Sequence, residues 1–103
     1  MADEKITVVA VFKTKAGKES AAREAILGVV APTRAEAGCI NYDLHQNPDD
    51  PSIFMLYENW ASKKALDEHL AMPYLKDLLG KGDDLFSAPV DIAIWQMISK
   101  PPK

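Results

Sequence analysis

Residues 39–60 run CINYDLHQNPDDPSIFMLYENW, and they contain two strands and the turn between them. In residues 39–46, Ile40, Tyr42 and Leu44 alternate with Asn41, Asp43 and His45. That is the two-residue period of a strand with one buried face. Residues 53–60 place Phe54, Leu56, Glu58 and Trp60 on one face and Ile53, Met55, Tyr57 and Asn59 on the other. Between them, residues 47–52 read NPDDPS. Asn and Asp side chains there can bond their own backbone, and proline pre-sets φ, so the chain turns. Strand, short turn and strand make an antiparallel hairpin.

Toward the N-terminus, residues 6–13, ITVVAVFK, are β-branched and aromatic and predict another strand. Residues 13–18 form a turn. A helix follows from about Glu19, with Ala22, Ala25, Ile26, Val29 and Val30 as its apolar stripe. Pro32 has no N–H for an intrahelical bond, so a kink is expected there. The helix should resume through Arg34 to Ala37 and stop at Gly38, which can take the left-handed cap conformation.

Toward the C-terminus, Ser62 is placed to cap a second helix in which Leu66, His69 and Leu70 share a face. Pro73 interrupts it, and Tyr74, Leu75, Leu78 and Leu79 continue as a shorter helix. Residues 80–89 read as loop. A last strand, 90–98, sets Val90, Ile92, Ile94 and Ile98 against Ala93, Trp95 and Met97. The terminal Lys-Pro-Pro-Lys is expected to be disordered or to lie along a neighbour.

The element order β-α-β-β-α-β is that of a ferredoxin-like α+β fold, a four-stranded antiparallel sheet with helices on one face. Three of the four strands are apolar on both faces. A half-solvated antiparallel sheet should alternate instead. The second face therefore calls for a cover, and a homodimer packed sheet against sheet supplies one. At 103 residues the chain is expected to be a single domain, with its core over about 5–98 and a tail at 99–103. Net charge is −3 and the only arginines are Arg23 and Arg34, which argues against nucleic-acid binding. No apolar run approaches the ~20 residues that span a bilayer. An acidic start without a signal-peptide core and a single cysteine, Cys39, point to a reducing cytoplasm.

Few side chains can carry chemistry. Glu58 lies between Leu56 and Trp60 on one strand face, where apolar surroundings raise a carboxyl pKa toward that of a base working near neutrality. It can equally be a buried structural acid. His69, on an apolar helix face with an unperturbed pKa near ~6.5, is either a general base or a core histidine satisfied by Glu58 or a carbonyl. A Glu58–His69 hydrogen bond would serve both readings. Trp60, Tyr74, Phe54 and Trp95 can line a flat pocket for an aromatic substrate or simply fill the core. Cys39 has no partner and no basic sequence neighbour, so packing is its expected role. Asn41 and His45 share a strand face suited to solvent or dimer contacts. His45 and His69 lack metal-ligand spacing, and no glycine-rich loop follows a strand, so neither metal nor nucleotide cofactor is expected.

Arg34-x-Glu36-x-Gly38-Cys39-Ile40-x-Tyr42, then Phe54-x-Leu56-x-Glu58-x-Trp60-x-Ser62, then His69 nine residues after the tryptophan, together resemble the antibiotic biosynthesis monooxygenase family over about residues 5–98. The resemblance implies a dimeric α+β barrel with one cavity per subunit between sheet and helices. It further implies a cofactor-independent monooxygenase acting with molecular oxygen on quinol-like or polyphenolic aromatics. His69 and Glu58 would then be catalytic, and Trp60, Tyr74 and Phe54 would contact substrate. The haem-degrading branch uses a first-strand Asn, a Trp near the position of His69 and a haem-ligating His about ten residues later. This chain has none of them, and Leu79 stands at the last position. Two alternatives use the same residues: an isomerase of a small polar metabolite, and a non-catalytic, small-molecule-binding stress-response dimer.

Overall fold

The computed structural model describes residues 4–100. Four strands, β1 (Ile6–Lys13), β2 (Cys39–Gln46), β3 (Ile53–Trp60) and β4 (Asp91–Trp95), form one sheet in the order β2-β3-β1-β4. Every neighbouring pair is antiparallel. The helices α1 (Glu19–Leu27), α2 (Val30–Arg34), α3 (Lys63–Leu70), α4 (Pro73–Gly80) and α5 (Gly82–Leu85) pack on one face. This is the expected ferredoxin-like arrangement.

The register follows from the strand patterns. Val8 lies opposite Glu58, Ala10 opposite Leu56 and Phe12 opposite Phe54. On the other side of β3, Tyr42 lies opposite Glu58 and Leu44 opposite Leu56. Cross-strand partners share a face, so these side chains form the floor of the core. Ala22 and Ile26 of α1, Leu66 of α3 and Leu75 and Leu78 of α4 close over it. Glu58 and His69 are thereby buried among apolar groups.

Several boundaries differ from the sequence expectation. The first helix breaks at Gly28–Val29 rather than at Pro32. A helical proline leaves the carbonyl of residue i−4 without its donor and crowds it, and for Pro32 that residue is Gly28. Gly38 is not a left-handed cap: among the described residues only Gly17 has positive φ, at 84°. Gly38 is required for another reason, because a Cβ there would lie 2.2 Å from the Cβ of Ala65 on α3. Ile40 does not join Tyr42 and Leu44 inside. The β2–β3 register shifts between Cys39 and Asn41, and this bulge leaves Ile40 exposed. The segment expected to be loop contains the single-turn α5. The last strand pairs only over Asp91–Trp95.

The opposite sheet face carries a polar chain across three strands. Thr7 Oγ1 donates to Asn59 Oδ1 (2.6 Å), Asn59 Nδ2 to Asn41 Oδ1 (2.9 Å), and Asn41 Nδ2 to Asp43 Oδ2 (3.2 Å). Beside it lie the partly buried Val9, Val11 and Met55 and the exposed Tyr57 and Trp95. On the helix side of β4, Ile92 and Ile94 face the same way as Ala10 and Val8, yet both are exposed. Among the described residues no helix is long and apolar enough to cross a membrane. Pro101 to Lys103, most of the expected tail, lie outside the described residues.

Candidate active site

Ser62 Oγ accepts the Ala65 N–H at 3.1 Å and caps α3, fixing which face of the helix meets the sheet. Ala65 and His69 are one turn apart on that face. The close approach of Gly38 to Ala65 brings Glu36, two residues earlier, level with the imidazole. His69 Nδ1 lies 2.9 Å from Glu36 Oε2, with the two side chains 2% and 8% exposed. The Tyr74 hydroxyl, from α4, donates to the same carboxylate oxygen. As a carboxylate Glu36 can only accept, so in the neutral imidazole tautomer this bond favours, Nδ1 carries the proton and Nε2 the lone pair.

Two aromatic rings hold the imidazole. The Trp60 ring centroid is 4.6 Å away, tilted 34°, and that of Tyr42 is 5.4 Å away, edge-on at 66°. Ring position is thus fixed by packing and ring orientation by Glu36.

Glu58 is 4% exposed and accepts one hydrogen bond from Trp60 Nε1 at 2.9 Å. Burial pushes its pKa up to about 7, with the Trp60 hydrogen bond opposing and the charge of Glu36 adding to the rise. Burial, and next the charge of Glu58, also raise the Tyr42 phenol. Tyr74 is pushed up to about 12, first by desolvation and then by its bond to Glu36.

His69 and Glu58 line one cavity of about 20 Å³, together with Tyr42, Leu56, Leu70 and Ile92 among others. That is room for one water molecule. The two expected catalytic residues are therefore brought to a common space. The hydrogen bond expected between them is not formed. Trp60, two residues along the same strand face, supplies the donor to Glu58, and Glu36 takes His69.

The three residues expected to contact substrate do not line this cavity. Trp60 lies behind the imidazole. Tyr74 reaches the site only through Glu36. Phe54 sits at the far end of β3, beside a surface pocket lined by Arg23, Leu27 and Leu44. Neither Glu36 nor Tyr42 is marked by the sequence as a catalytic or substrate-binding residue. Glu36 stands 33 positions from His69 and lies past the end of α2 rather than in the helix expected to run to Ala37. Tyr42 was visible as an inward strand residue, and only the register places it against Glu58. Cys39 is half-buried, and its thiol is pushed up to about 11 by burial and then by Glu36 and Glu58, which disfavours the reactive thiolate. Among the described residues no three His, Cys, Asp or Glu side chains cluster to hold a metal.

The family model described as "Antibiotic biosynthesis monooxygenase" matches residues 5–80. The chain is 33% identical over 89 residues to "Putative monooxygenase Rv0793" of Mycobacterium tuberculosis, covering 86% of this chain and 87% of that protein. The solved structure of Rv0793 superposes with a TM-score of 0.88 at 30% identity, over 94% of this chain and 98% of that one. The structure of PA3566 from Pseudomonas aeruginosa gives a TM-score of 0.89 at 28% identity, covering 96% and 99%. The protein sll1783 of Synechocystis is 30% identical over 96 residues, which are 93% of this chain and 65% of that longer relative.

Proposed function

The chain belongs to the antibiotic biosynthesis monooxygenase family, and from that membership we propose that it is a cofactor-independent monooxygenase of quinol-like or polyphenolic aromatics. The names of its relatives support monooxygenase activity. The observation that supports acid–base chemistry on such a substrate is a buried imidazole, oriented by Glu36, that shares a small cavity with Glu58.

Triplet oxygen reacts poorly with closed-shell molecules, so the substrate must itself be a strong electron donor. His69 Nε2 takes the phenolic proton, and the Glu36 carboxylate stabilises the imidazolium that forms. The electron-rich phenolate then reduces oxygen between largely apolar walls. For a hydroquinone, one oxygen atom enters the ring, the other leaves as water, and the substrate supplies all four electrons. Glu58, near its midpoint at about pH 7, is suited to pass a proton to the departing oxygen. Trp60 acts by packing on the imidazole and Tyr74 by bonding Glu36, so neither need touch the ring; Phe54 supports β3.

The working form in this proposal is a homodimer joined through the outer sheet face, in a reducing cytoplasm that suits the lone cysteine. An isomerase of a small polar metabolite is less favoured, because among the described residues no lysine or arginine lines the cavity to hold an anionic group. Arg34 is engaged with the Tyr42 carbonyl and Asp43.

Oxygen uptake with substituted hydroquinones tests the reading. His69→Ala should lower kcat by roughly 10²–10⁴-fold with the assembly unchanged. Undiminished turnover would remove His69 from the mechanism. Conversion that persists under nitrogen would favour isomerisation, and binding without turnover in either atmosphere would favour a non-catalytic role.

A further inference from the structure

The cavity at His69 and Glu58 holds about 20 Å³, far less than an aromatic ring needs. Immediately beyond it, between the α4–α5 segment and β4, lies an open cleft of about 480 Å³, within the size range of small-molecule sites. The two spaces share two walls, Leu79 and Ile92. Both side chains are exposed, so neither is locked by packing around it. Ile92 is paired with Ala10 through the β1–β4 ladder. A change of its side-chain rotamer, or of that of Leu79, would break no backbone hydrogen bond of the ladder.

The rest of the cleft is lined mainly by Phe86, Ala88, Pro89 and Val90. Its charged lining residue is Asp83. Such a surface takes an apolar group and disfavours an anionic one.

We propose that this cleft is a second subsite, holding the apolar side chain or second ring of a substituted quinol whose reacting ring sits beside His69, with Leu79 and Ile92 as the movable partition. The inference rests on the aromatic-substrate reading and names the part of the substrate that reading leaves open. It makes the preferred substrate an amphipathic quinol carrying a neutral hydrocarbon substituent.

Binding of 2-alkyl-1,4-hydroquinones, from methyl to hexyl, is measured on the full chain under nitrogen by calorimetry, and oxygen uptake is measured separately. Each added methylene should tighten binding by about fourfold, the value for full burial, until the cleft is filled. Ala88→Trp, which fills the cleft away from the cavity, should abolish this increment while leaving affinity for unsubstituted hydroquinone unchanged. Ala88→Asp adds charge with little bulk and should do the same, with circular dichroism reporting that each variant is folded. Equal affinity for all chain lengths, or equal weakening of substituted and unsubstituted quinols by both variants, overturns the subsite. Chain-length-dependent binding without oxygen uptake would leave the subsite standing and overturn the oxygenase reading. Oxygen uptake whose kcat/KM is indifferent to chain length would do the reverse.

Discussion

Glu58 is flanked across the sheet by Val8 and Tyr42 and has a single hydrogen-bond donor, the Trp60 indole. Its pKa of about 7 lies above the ordinary glutamate value of 4.5. Between those values the folded chain keeps a proton that the unfolded chain has released. Stability should therefore fall as pH rises from about 4.5 to about 7, and the loss should persist above that. The shift corresponds to about 3 kcal/mol. Glu58→Gln, which retains an acceptor for Trp60, should be more stable than the parent at pH 8 by up to that amount and equal to it near pH 4, as urea midpoints would register. Glu36 acts through His69, so Glu36→Gln should lower kcat by less than the full general-base factor of roughly 10²–10⁴ and leave KM near the parent value. A fall confined to KM would count against a positioning role. At this scale the sequence exposed Glu58 and His69 as the polar residues on apolar faces. It could not expose their partners, because a hydrogen bond between residues 33 positions apart leaves no local pattern.

The elements that carry these residues were legible wherever local chemistry sets them. β1, β2 and β3 follow their alternation and β-branched content, and α3 follows its Ser62 cap and the Leu66–His69 face. The departures come from contacts between elements. The bulge at Cys39–Asn41 turns Ile40 outward, although its alternation with Tyr42 and Leu44 is that of an inward residue. Gly38 is needed for its lack of a side chain against Ala65, not for left-handed φ. Gly38→Ala should cost about 1–3 kcal/mol by overpacking and should also displace Glu36 from His69. Ala65→Gly removes the opposing methyl, so the double variant should be less destabilised than the sum of the two singles. A double-mutant cycle in urea checks this, and strict additivity would show that the two residues do not interact.

At the scale of the whole molecule, the helices close over β1 and β3, while β4 exposes apolar side chains on both sides. Trp95 is 61% and Ile94 52% exposed. Together with Val9, Val11 and Met55, Trp95 makes an apolar patch beside the polar Thr7–Asn59–Asn41 chain, and the proposed second copy would cover it. Trp95→Glu should weaken a homodimer by roughly 30-fold or more, as loss of a central aromatic anchor does. Sedimentation velocity over a dilution series measures it, and an unchanged assembly would place the interface elsewhere. The sequence by itself determined the β-α-β-β-α-β order, the strand faces apart from that of Ile40, and the placing of Glu58 and His69 on apolar faces. Each of these follows from periodicity and turn chemistry acting over a few residues. Only the tertiary structure decided that His69 answers to Glu36 rather than to Glu58, that Trp60 and Tyr74 stand behind the cavity, and that Leu79 and Ile92 divide it from a larger cleft. Those outcomes depend on register, on a bulge and on one close approach between Gly38 and Ala65, which arise when distant segments meet.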